Sequence, residues 1–178
     1  MEILMRKALI ALGVLIVGLF IAFITLYQQP TYAGVSMPKS DYRQLKTSKQ
    51  NISQLLDDLD HFDYTKPTTM AAVEKTGTKI IKHNSKNLSA SDAKAMRETL
   101  YGRNGIISIT KNAQKGKYNI DASVASRFHD KFEVLIELSV NAINKSSAQR
   151  QRIVDKLNSE LNIESSIYHI GIQDENEN

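Results

Sequence analysis

Hydrophobic residues follow three different patterns along this chain of 178 residues. The first is saturation. From Ala8 to Tyr27 the chain runs without a charge, and Leu9, Ile10, Leu12, Val14, Leu15 and Ile16 already surround a helix on every side. A helix in water keeps a polar stripe, and this stretch has none. Twenty residues at 1.5 Å each cover about 30 Å, the thickness of a hydrocarbon core. The pattern predicts a transmembrane signal-anchor over residues 8–27. Arg6 and Lys7 lie at its short end, so residues 1–7 are expected in the cytoplasm and the rest outside it. Lys39, Arg43, Lys46 and Lys49 follow the span and weaken that charge asymmetry. Tyr27 and Tyr32 suit an interfacial position, with rings in lipid and hydroxyls in water. A cleaved leader competes with this reading, because Thr31-Tyr32-Ala33 before Gly34 places small residues where a signal peptidase cuts. The apolar run exceeds the seven to fifteen residues or so of a leader core, which favours the anchor.

The second pattern is the helical period. Residues 28–40, with Pro30, Gly34 and Pro38, read as a linker. From Ser40 onward Leu45, Ile52, Leu55, Leu56, Leu59 and Phe62 share one face, with Lys46, Lys49, Asp57 and Asp58 elsewhere. Thr65-Lys66-Pro67 reads as a cap and first turn, and Met70, Val73, Gly77, Ile80 and Ile81 carry a second helix to His83-Asn84. Ser89 or Ser91 opens a third through Ala93, Met96 and Leu100, stopped by Gly102-Arg-Asn-Gly105. Residues 41–102 are thus expected to be a helical region.

The third pattern is alternation. Ile107-Ser-Ile109-Thr and Tyr118-Asn-Ile120-Asp-Ala122-Ser-Val124 alternate on either side of the turn-like Asn112–Gly116, which predicts a hairpin. Phe132 to Ala142 alternates with Leu135 as its one violation. Its β-branched content predicts a strand, although Asp130, Glu133, Glu137, Asn141 and Asn144 would also share one helical face. Ser146 or Ser147 caps a helix with Ile153, Val154, Leu157 and Leu161 on its core face, and Tyr168, Ile170 and Ile172 read as a last strand. Residues 103–172 are therefore expected to be a small α+β domain, and 173–178 a disordered acidic tail. The expected fold class is α+β: an N-terminal transmembrane helix, membrane-proximal helices, then a small antiparallel or mixed sheet of about four strands with a packed helix.

Charge and composition narrow the functions. Residues 35–178 carry 21 Lys/Arg against 18 Asp/Glu, dispersed along the chain. No cluster of the kind that tracks phosphates is present, so nucleic acid is not an expected partner. The chain has no cysteine, which removes disulfides, thiol chemistry and lipoprotein acylation.

Four histidines could carry catalysis or metal: His61, His83, His129 and His169. None lies in a His-x-His or His-Glu-x-x-His arrangement. His61 sits among Asp57, Asp58, Asp60 and Asp63, and His129 would share a helical face with Glu133; both groups read as solvated surface. No nucleophile elbow, phosphate loop or dinucleotide fingerprint occurs. The expected catalytic, cofactor-binding and metal residues are accordingly none, and the protein is not expected to be an enzyme.

Leu88-Ser-Ala-Ser-Asp and Ser146-Ser-Ala-Gln-Arg resemble the helix starts of the periplasmic stress chaperones. That resemblance covers two caps and implies an all-helical hairpin, from which the alternating segments point away, so no family is assigned on it. The expectation is a single-pass protein of the inner membrane with its body in the periplasm or beyond. It would act through contacts with envelope proteins, with self-association a further option. An exported, leader-cleaved binding protein, such as a chaperone or toxin-neutralising protein, is the alternative.

Overall fold

The computed structural model describes residues 2–27, 29–63, 65–116 and 122–173. Among them, α1 (Glu2–Tyr27) is followed by a hairpin of β1 (Thr31–Tyr32) and β2 (Val35–Ser36). Then come α2 (Lys39–Asp60), α3 (Pro67–Asn84), α4 (Ala90–Tyr101) and α5 (Ile106–Gly116). The chain closes with α6 (Ala122–Asn141), α7 (Ser147–Leu161) and α8 (Ile163–Gln173).

The expected α+β class is corrected. Among the described residues the chain is mostly helical, and its one sheet is the two-stranded hairpin, which lies inside the stretch expected to be a linker. Ile107–Thr110 belongs to α5, Phe132–Asn141 to α6 and Tyr168–Ile172 to α8. The expected strand over Tyr118–Val124 falls mostly on 117–121, outside the described residues, and α6 takes up its remainder. Of the expected tail at 173–178, Gln173 ends α8 and the rest lies outside the described residues. The transmembrane helix is corrected too: among the described residues no helix is long and apolar enough to cross a membrane. In α1 the apolar stretch with described side chains is Ile10–Ile24. Every side chain of that stretch is exposed.

The reason for the missing strands is visible in α6. It is the hub of the body, packed against α2, α4, α5, α7 and α8. Val124, Ala125, Phe128, Phe132, Leu135, Ile136 and Ser139 are buried, as a helical stripe demands, but so are Leu138 and Val140 on its flanks. A helix covered on several sides loses the gaps in its apolar stripe, and the remainder mimics alternation. Its polar residues keep the true period: Ser126, Asp130, Glu133, Glu137 and Asn141 are all exposed. In α5 the same holds over a shorter span, where Ile106, Ile109, Thr110 and Ala113 form the buried face.

Local rules explain the remaining boundaries. Pro67 begins α3 at its first turn, with Lys66 rather than Thr65 at the cap position. Ser89 Oγ accepts from the Asp92 amide, and Ser146 forms a reciprocal capping box with Gln149. The two segments that resemble chaperone helix starts thus work as caps. Asn162, in the left-handed region at φ 49°, ends α7 and lets α8 begin at the next residue. Between α2 and α3, the fully buried Asn84 Oδ1 accepts from Ser48 Oγ at 2.9 Å and Gln44 Nε2 at 3.2 Å. Its Nδ2 donates to the Ile80 carbonyl at 2.9 Å, so the buried amide is satisfied and fixes the helix register.

Candidate functional site

The hairpin is the local structure from which the site is built. Ala33 and Gly34 have φ of 51° and 72°, two consecutive left-handed residues of the kind that close a tight hairpin with the natural strand twist. Thr31 pairs with Ser36 and Tyr32 with Val35, and the Met37 amide donates to the Pro30 carbonyl at 3.0 Å. Val35 and Met37 are buried in the body. Tyr32 is thereby held against α7.

There its hydroxyl donates to Glu160 Oε2 at 2.7 Å. Lys49 of α2 reaches the same oxygen at 2.5 Å, and Lys156 approaches the other at 3.3 Å. One carboxylate therefore joins the hairpin, α2 and α7. The Lys49 hydrogen bond, and then that of Tyr32, pull the Glu160 carboxyl down to about 2. Burial, followed by the hydrogen bond to Glu160, pushes the Tyr32 phenol well above its ordinary value. At neutral pH the pair is a fixed negative charge beside a neutral hydroxyl, with no proton in play.

Beside this junction lies a groove of about 870 Å³ along α2. Tyr32, Tyr42 and Leu45 supply aromatic and apolar surface, Lys46 and Lys49 cations, and Asp57 and Glu160 anions. Gln50, Ser53 and Gln54 add donors and acceptors farther along the helix. Such a mixture suits a polypeptide better than a metal or a phosphate, because it offers both charge signs, amide groups and flat rings within one concavity.

The sequence-derived candidates are dispersed. Exposed His61 pairs with Asp57 at 3.3 Å and Asp60 at 3.9 Å, while its Nδ1 lies 3.0 Å from the Asp57 carbonyl. Asp58 turns instead to Thr76, whose hydroxyl donates at 2.6 Å, and Asp63 pairs with Lys66 at 2.8 Å. Those four carboxylates do not converge. His83 Nε2 lies 3.0 Å from the Gln44 carbonyl and serves the α2–α3 contact. His129, Asp130 and Glu133 do come together, on α6. The side chain of His169 is outside the described residues. Gly102–Gly105 forms the turn between α4 and α5.

Sequence reasoning missed Glu160 altogether, and read Tyr32 and Lys49 as an interfacial ring and a solvated charge. Nothing in the chain signals a partnership across 111 and 128 residues. No protein-family model, curated protein or solved structure matches this chain.

Proposed function

We propose that this chain is a membrane-associated accessory protein of the cell envelope whose helical body holds an envelope protein in the groove beside the hairpin. The observation that carries the reading is α1. Ile10, Val14 and Leu19 are each about two-thirds exposed (67%, 68% and 64%), in a helix with apolar side chains on every face. A contiguous apolar surface of this extent marks a membrane or protein contact. Its lack of any polar stripe favours contact with lipid over packing against protein.

The hairpin speaks against a cleaved leader. A cut after Ala33 would fall inside the turn, separate β1 from β2 and remove Tyr32 from Glu160. An N-terminus at Gly34 would leave the groove without one of its walls.

Two measurements test the reading. The protein should stay in membranes washed with alkaline carbonate and keep Met1 or Glu2 as its N-terminus. Recovery in the soluble fraction, or an N-terminus at Gly34, would replace it with the exported binding protein. A photo-crosslinker at Gln50 or Ser53 in intact cells should trap one discrete envelope protein, whereas the same probe at Lys94 of α4, outside the groove, should not. Equal yields from both sites would remove the groove from the proposal.

A further inference from the structure

A second, smaller concavity of about 320 Å³ lies where α6, α7 and the start of α8 meet. We propose that it binds one late first-row divalent cation, zinc in the first instance, through His129, Glu133 and Asn158.

Helical phase places His129 and Glu133 one turn apart on α6, so both can reach the same point. His129 Nε2 lies 3.9 Å from Glu133 Oε1, and its Nδ1 lies 3.8 Å from Asp130 Oδ1. One ligand atom from each of the three falls within 4.8 Å of the others. These separations are too long for hydrogen bonds. They are close to the roughly 3.4 Å between two ligands that share a tetrahedral zinc at about 2.1 Å. Asp130, facing the other ring nitrogen, is placed to orient the imidazole as outer-shell carboxylates do.

An independent observation comes from the opposite wall. Asn158 of α7 lines the same cavity, and its side-chain oxygen is sealed from solvent with no hydrogen-bond donor. A buried acceptor without a partner is costly, and a cation would satisfy it. Glu164, in the first turn of α8, adds negative charge to the lining.

The lining of this cavity is acidic, whereas several carboxylates elsewhere face lysines. Glu160 has Lys49 and Lys156, Asp63 has Lys66, and Glu74 has Lys111. No lysine or arginine is among the described residues lining this cavity, although the chain carries a formal charge of +4. The donor set explains the choice of metal. One imidazole nitrogen, a carboxylate and an amide oxygen make a three-ligand site with an open position, which suits zinc. Calcium and magnesium call for all-oxygen shells of six or more ligands. A bound cation would join α6 to the α7–α8 pair at a point where no direct bond joins these three side chains.

The test uses the full-length protein in detergent, titrated calorimetrically with zinc chloride in a chelator-free buffer and melted with and without metal. One equivalent of zinc should bind and raise the melting temperature. His129→Ala and Glu133→Gln should each weaken binding at least tenfold. Asn158→Leu should melt higher than the parent without zinc, by removing the orphan oxygen, and should lose the zinc-dependent increment. His61→Ala, at the other exposed histidine–carboxylate group, should bind zinc as the parent does. No binding at 100 μM zinc, affinity unchanged in His129→Ala, or affinity lost in His61→Ala would each overturn the proposal.

Discussion

Two helices of this protein are rich in large apolar residues and have opposite surroundings. In α1, Phe20 and Phe23 are 63% and 62% exposed; in α6, Phe128 and Phe132 are fully buried. The difference lies in what interrupts the apolar residues. α6 carries an exposed stripe of Ser126, Asp130, Glu133, Glu137 and Asn141, which tells the body which side faces water. α1 carries no charge between Lys7 and its end, so no face is marked for solvent or for the body. Apolar content alone therefore does not place a helix in a core. A polar stripe, even a narrow one, decides it.

The largest effects should separate these two helices. Phe132→Ala removes a ring at the centre of the body and should lower stability by about 3–5 kcal/mol. Phe20→Ala should leave the melting temperature of the body within a degree or so. Comparable losses from both substitutions would mean that α1 packs on the body and would cancel the contrast. Chemical denaturation followed by circular dichroism reads both.

Next in size is a charge placed in α1. Val17→Arg puts a cation in mid-helix, which costs about 2.5–3.5 kcal/mol on insertion scales, or roughly a hundredfold in partitioning. The variant should lose retention in carbonate-washed membranes while the unfolding transition of the body stays in place. Full retention would show that lipid does not cover this part of α1.

A third comparison uses glycine. A Cβ on Gly77 of α3 would come within 2.3 Å of Ile107 Cδ1 on α5, whereas Gly18 of α1 has nothing within 4 Å. Gly77→Ala must turn the end of the Ile107 side chain aside, and alanine's better helix propensity offsets part of that, so the net cost should be about 1 kcal/mol. Gly18→Ala should leave the body unchanged. Equal stability of Gly77→Ala and the parent would show that the α3–α5 contact yields without loss.

The same contrast explains what could be read in the chain. Helices α2, α3 and α4 were legible because each has a clean stripe and a stop: Leu45 to Leu59 in α2, Pro67 at the head of α3, Gly102 after α4. Helices α5, α6 and α8 were taken for strands because short or many-sided apolar runs alternate by accident, while β-branched content leaned the same way. Tertiary burial overrode that preference. In α6 the exposed acids at 130, 133 and 137 held the helical signal that its apolar residues concealed. The hairpin was invisible because two-residue strands have no period, leaving Gly34 as the only hint. The groove was not legible at all, since Tyr32, Lys49 and Glu160 meet only through the fold. His129 and Glu133 were noticed, but Asn158 required α7 to be placed.

The smallest predicted effect concerns the junction that fastens the hairpin to the body. Glu160 has its folded value near 2, below its ordinary 4.5, so the ionised form is favoured by folding. Its contribution is present above pH 4.5 and is lost as the pH falls toward 2. The side chain remains 26% exposed, and an ion pair at such a surface contributes about 0.2–1 kcal/mol. Glu160→Gln should therefore cost no more than about 1 kcal/mol at pH 7 by urea denaturation, with the deficit shrinking below pH 4.5. Tyr32→Phe removes only the neutral donor and should cost less, and because its partner carboxylate titrates, its deficit should fade over the same pH range. A deficit in Glu160→Gln that stays constant down to pH 2 would mean that shape rather than charge holds the hairpin. The groove would then keep its wall without the ion pair, and its selectivity would have to come from Tyr42 and Lys46 instead.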